Sequence, residues 1–280
     1  METFPAGMTI FGVKNKNERN MKKYFLIGAL MVLETFRLNA QQTYVLPTAK
    51  DVKQVDEHVS YRGDLKDITG EVMPSVEVYL PSAEKSNGCA VVLCPGGGMR
   101  TLSWTTDVEQ MARFLNERGI AAIGLKYRLN NTAFPKGGKM GPMVDVTAID
   151  HFPDADANPL HYEAGDSVFL CAAQDAMEAV KLVRRYADEW HIDADKVGYM
   201  GFSAGGGVAI AATMLCREET AKPSFICTNY GPSLIPVSVP EQAPPLLILS
   251  RVDHPNVAAG LVGLFLEWKK AGANAELHLF

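Results

Sequence analysis

Residues 196–215 read KVGYMGFSAGGGVAIAATML: an apolar run, a serine set among glycines, then a stretch of small apolar residues. Few local structures accommodate that order. The run ending at Phe202 suits a buried strand and the stretch from Ala204 suits a helix, which leaves Ser203 in the turn between them. Gly201-Phe202-Ser203-Ala204-Gly205 fits the G-x-S-x-G pattern, in which a serine is held exposed on a tight strand-to-helix turn. Such a turn crowds backbone on backbone, so glycines two residues before and after the serine avoid clashes. The first N–H groups of the following helix would then face an oxygen gaining negative charge. On this reading Ser203 is a nucleophile and the Ala204 N–H an anion donor. The plainer alternative is a glycine-rich turn with an incidental serine.

The flanking sequence alternates strand and helix patterns. SVEVYLP (75–81) alternates like a half-exposed strand, and CAVVLCPGGG (89–98) is a continuous apolar run stopped by proline and glycine. Residues 107–119 have helical spacing with Gly119 as a stop, 120–129 read as a strand and 167–190 as a helix. After the serine's own strand (196–202) and helix (204–215) come strands at 225–231 and 245–250, a helix at 257–271 and a strand at 275–280. This order predicts an α/β fold: a mostly parallel sheet of about eight strands with helices on both faces. Residues 41–67 are polar and weakly patterned, and 130–166 lose periodicity in a long insertion rich in glycine, proline and aspartate.

Two further elements point to the same site. Pro95-Gly96-Gly97-Gly98 directly follows an earlier buried strand. Bare backbone there can approach a substrate oxygen where a side chain would obstruct it, so Gly97 and Gly98 are candidate oxyanion donors beside Ala204. The run lacks the Lys-Ser/Thr ending of a phosphate-binding P-loop, and no GxGxxG fingerprint occurs. An acid is expected after a later strand. Asp253 lies three residues past the strand that ends at Ser250, and serine-then-acid is the expected chain order. Its alternative role is to cap the helix that starts near Asn256. Asp193 and Asp195 read as turn residues, and Asp175 as a structural residue within a helix.

Composition bounds what remains. At 280 residues and 47% hydrophobic content, the chain can bury a full core. A net charge of −5 and a pI near 5.7, with no basic stripe, argue against nucleic acid as a partner. From Met21 the chain reads MKKYFLIGALMVLETFRLNAQQ, in the charged, apolar, small-residue order of a secretory signal peptide. Residues 1–40 are thus expected to be an upstream extension plus that signal, with Met1 or Met21 as the start. The mature domain is expected over 41–280, in a periplasmic or secreted protein. The apolar run of the signal is too short for a stable membrane span. Five widely spread cysteines form no disulfide framework, and Cys94 and Cys227 read as buried free thiols. No Cys/His spacing suits a metal, and no cofactor is implied.

The segments VVLCPGGGM, LNERGIAAIGLKYRL, QDAMEAVKLVRRYADEWHIDADKVGYMGFSAGG and NVAAGLVGLFLEWKKAGANAELHLF together resemble bacterial α/β-hydrolase fold esterases of the acetylxylan-esterase-like group. The similarity runs over most of residues 75–280. It implies carboxylic ester hydrolysis through an acyl-enzyme on Ser203, with Asp253 as triad acid and Gly97, Gly98 and Ala204 as oxyanion donors. The implied partner is a small-molecule or polysaccharide ester, such as the acetylated sugars of plant polysaccharides. The chain departs from the family in reading Gly205-Gly206-Gly207-Val208 where Ala-Gly-Gly-His-Leu is frequent after the serine. Met99 stands where many members have an aromatic residue.

A serine nucleophile needs an imidazole base. The resemblance puts that histidine on a loop after the last strand, which here is AELHLF at the end of the chain, so the base is expected beyond residue 280 and the 280-residue form is expected to be a poor catalyst. His278 within that strand and His254 beside Asp253 are the weaker alternatives, and nothing favours His58, His151, His161 or His191. Two other functions remain open: a non-catalytic relative that binds carbohydrate or protein, and a serine peptidase of the same fold.

Overall fold

The structure is a computed structural model, and it describes residues 42–129, 156–159, 167–254 and 257–280. The expected leader (1–40) and most of the expected insertion (130–166) lie outside the described residues. The main sheet has eight strands: β1 (Gln42–Val45), β4 (Ser75–Tyr79), β5 (Ala90–Cys94), β7 (Ala121–Lys126), β8 (Val197–Phe202), β9 (Ile226–Asn229), β10 (Leu246–Ser250) and β11 (Ala275–Leu279). Their spatial order is β1-β4-β7-β5-β8-β9-β10-β11. Pairing is parallel from β7 through β11, while β4 runs antiparallel to both β1 and β7.

The central strands are apolar because both of their faces are covered. Every residue of β5 is buried, as are five of the six in β7, so neither strand has a polar face to alternate with. Against the sheet pack α1 (Met111–Asn116), α2 (Ser167–Arg185), α3 (Ala204–Leu215) and α4 (Val257–Lys270). α1 continues a π-helical stretch, Thr105–Gln110. A Cβ on Gly124 of β7 would collide with Val108 of that stretch and lie 3.2 Å from Trp104, so the missing side chain lets the helix approach the sheet. The exit of β7 is tied to α2 by Arg128: its backbone N–H and its guanidinium both donate to the buried carboxylate of Asp175. Asp175 is structural, as the sequence indicates.

A three-stranded antiparallel sheet, β2 (Asp56–Arg62), β3 (Leu65–Glu71) and β6 (Thr101–Ser103), stands beside the main one. The sequence gives no sign of it. β2 is exposed along nearly its whole length, with Val59 and Tyr61 open to solvent, so it carries none of the alternation that marks a half-buried strand. β1, a four-residue edge strand with no buried residue, is unmarked for the same reason. No helix among the described residues is long and apolar enough to cross a membrane.

All five cysteines are unpaired thiols, and Cys94, Cys216 and Cys227 are buried. Burial alone pushes the Cys227 thiol up to about 11 and raises Cys94 further. Iodoacetamide at pH 8 is therefore expected to alkylate only Cys89 and Cys171 in the folded protein, and the other three only after denaturation. A disulfide in the unreduced protein would contradict this packing.

Candidate active site

The parallel strands bring their C-terminal ends to one edge of the sheet, and the predicted site residues gather there. Ser203 follows β8 directly and adopts φ 49°, ψ −123°, a left-handed backbone that a serine rarely takes without being forced. The forcing groups are visible. The Ser203 N–H donates to the Asn229 carbonyl (2.9 Å), and the Ser203 carbonyl accepts from Gly206 N–H (2.9 Å) as α3 starts. The two glycines of the motif are sterically required. A Cβ on Gly201 would lie 2.5 Å from Gly206, and one on Gly205 would strike the Cys94 carbonyl and lie 2.5 Å from the Pro95 oxygen. The start of α3 thus rests directly on the end of β5.

That contact carries the Pro95-Gly96-Gly97-Gly98 loop to the serine. A Cβ built on Gly96 would sit 3.2 Å from Ser203 Cβ, so loop backbone and serine are neighbours. Gly97 (φ 131°) and Gly98 (φ 61°) occupy the positive-φ region, where a side chain at Gly97 would also strike the Thr101 carbonyl. Among the described residues, no group accepts a hydrogen bond from the N–H of Gly97, Gly98 or Ala204. Three unpaired donors near one serine can stabilise an oxyanion there.

Asp253 lies on the turn after β10, at the same edge. Its side chain is 63% exposed and accepts from Arg251 Nη2 at 2.6 Å, and no described contact joins it to Ser203. The turn is also touched by the end of β11: Phe280 N–H donates to the Ser250 carbonyl, and Val252 N–H to that of Phe280.

The described histidines separate clearly. His58 lies in β2, paired with Asp56, and His191 precedes β8 and so stands at the opposite edge from Ser203. His278 lies in the outermost strand beside Glu276; three strand spacings from β8 amount to about 14 Å. His254 is nearer. Its ring stacks on Tyr230 (centroids 6.0 Å, planes 17° apart), and Tyr230 immediately follows the Asn229 that binds Ser203 N–H.

Sequence reasoning missed two residues of this edge. Tyr230 holds φ 42° with its N–H on the Leu249 carbonyl; burial, and next the negative charge of Asp107, raise its phenol. Asp107 itself is 7% exposed and bonds the glycine loop. Neither carries a local signal, since one follows a short strand and the other lies inside a helical stretch.

Comparison with known proteins bears on the fold. Residues 162–247 match the family model described as alpha/beta hydrolase fold. An acetylxylan esterase of Xylanibacter ruminicola is 26% identical over 209 residues, covering 75% of this chain and 32% of that protein; the chain thus spans about a third of its curated relative. Among solved structures, an acetyl ester-xyloside bifunctional hydrolase of Caldicellulosiruptor lactoaceticus superposes with a TM-score of 0.52 at 21% identity, over 75% of this chain and 78% of that one. A carboxylesterase of Lactobacillus plantarum gives 0.53 at 14% identity, over 81% and 82%. Esterase 2 of Thermogutta terrifontis gives 0.51 at 19%, over 82% of both chains. The chain has the α/β-hydrolase fold.

The close approach of α3 to β5 makes Gly205 intolerant of substitution. Gly205→Ala is expected to cost about 3 kcal/mol or more in urea unfolding, at the upper end for overpacking, because its obstacle is backbone that cannot turn aside. A loss under about 0.5 kcal/mol would mean that the turn is looser than described.

Proposed function

We propose that the protein hydrolyses carboxylic esters through an acyl-enzyme on Ser203. The observation that carries this reading is the strained, forward-set serine lying beside three unpaired backbone donors. Ser203 Oγ attacks the ester carbonyl carbon and its proton passes to an imidazole. The N–H groups of Gly97, Gly98 and Ala204 hold the oxygen that becomes negative. The tetrahedral adduct collapses, the alcohol leaves with the proton from the imidazolium, and water then releases the acid by the same steps in reverse roles.

The substrate reading is an acetyl ester on a plant-polysaccharide sugar. It is supported by the likeness to the acetylxylan esterase of X. ruminicola. Asp253 is the acid of the triad, released from Arg251 to orient the base. The base in this reading is a histidine, and Phe280, the residue after β11, bonds the turn that carries Asp253. A leader at Met21–Ala40 would send the protein to the periplasm or outside the cell.

His254 supports a second reading, since it is the described histidine stacked against the site. The two separate on p-nitrophenyl acetate. Ser203→Ala is expected to abolish turnover, whereas His254→Ala is expected to keep kcat/KM within about threefold of the parent chain. A loss of about 100-fold, in the range of a removed general base, would assign that role to His254. Unchanged turnover in Ser203→Ala would remove the mechanism altogether.

A further inference from the structure

The glycine loop is held by more than its own turn. Peptide planes are trans and rigid, so a carbonyl fixed in one direction aims the N–H of the same plane the opposite way. The Gly96 carbonyl accepts from Ser103 N–H (3.0 Å), and the Gly97 carbonyl from the N–H groups of Arg100 (3.1 Å) and Thr101 (3.2 Å). Those bonds turn the N–H groups of Gly97 and Gly98 away from β6 and leave them unpaired. The plane before them, Pro95–Gly96, is gripped at both ends by buried side chains. Tyr127 Oη donates to the Pro95 carbonyl at 2.6 Å, and Gly96 N–H donates to Asp107 Oδ2 at 2.8 Å.

Asp107 is an unusual partner. Its other oxygen accepts from Thr106 Oγ1 at 2.8 Å, and among the described residues no cation pairs with it. A buried carboxyl is costly to retain unless its oxygens are bonded, and both of these are, one of them by the glycine loop. A Cβ on Gly96 would lie 3.2 Å from Asp107 Oδ2 and equally 3.2 Å from Ser203 Cβ. Asp107 and Ser203 thus both border the space that a side chain on Gly96 would fill.

We propose that Asp107 is a positioning residue of the oxyanion loop: by accepting the Gly96 N–H opposite the Tyr127 clamp, it fixes the plane from which the Gly97 and Gly98 donors are aimed. It touches no substrate and acts through the glycine backbone. The proposal rests on the esterase reading for its kinetic consequence but not for its structural one, and the experiment separates them.

Asp107→Ala, Asp107→Asn and Tyr127→Phe are compared with the parent chain by p-nitrophenyl acetate kinetics and by amide hydrogen exchange of residues 95–99. In Asp107→Ala, kcat is expected to fall at least ~10-fold with KM within about threefold, less than the ~100-fold or more lost when a donor is deleted outright. Gly96 N–H should exchange at least about tenfold faster, with β5 and β8 unchanged. Asp107→Asn keeps an acceptor oxygen in place and should restore most of both losses. Tyr127→Phe should reproduce a weaker form of the alanine phenotype. Unchanged Gly96 exchange in Asp107→Ala, or a folded Asp107→Asn as slow as the alanine variant, would overturn the proposal. If no variant, nor the parent, turns over ester while Gly96 exchange responds as described, the esterase reading fails and the positioning role stands.

Discussion

The site depends on one close approach: the first turn of α3 lying on the carbonyl ends of β5. Gly205 has no side chain because the Cys94 carbonyl occupies that space, and Gly201 has none because Gly206 does. Closing this gap does two things together. It drives Ser203 into a left-handed conformation at the sheet edge, and it draws the loop after β5 against the serine. Ser203 and the glycine loop, about a hundred residues apart in sequence, are therefore held together by glycine backbone.

Around this contact the other elements act as fixings. Asn229, at the end of β9, binds the serine's N–H, and Thr228 Oγ1 donates to the Gly231 carbonyl to hold the following turn. Tyr127, at the exit of β7, clamps Pro95, and the neighbouring Arg128 locks that exit to Asp175 of α2. The parallel sheet supplies the alignment: β5, β7, β8, β9, β10 and β11 all end at one edge, so each loop there can contribute a group.

How much of this the sequence revealed follows from burial. β5, β7 and β8 and helix α3 are continuous apolar runs, and they were readable to within one residue at their starts. The serine and the glycine loop were readable because close backbone approach demands glycine, and glycine leaves a trace. β2 and β3 left none, because hydrogen bonding to a partner strand, not burial, holds β2 in place. Asp107 left none because its function comes from a loop eleven residues earlier folding back over it. The helical spacing at 107–119 gave no hint that the stretch Thr105–Gln110 is π-helical.

The central claim is that the fold has made Ser203 a nucleophile backed by backbone donors. The most direct measurement is covalent labelling with a fluorophosphonate, followed by mass spectrometric mapping of the modified peptide. Phosphonates mimic the tetrahedral adduct and report the serine and its oxyanion donors before any question of substrate arises. The account predicts a single modification, on Ser203, formed far faster than on the other serines and absent from unfolded protein. No label on Ser203 in the folded protein, or label spread over several serines, would contradict it.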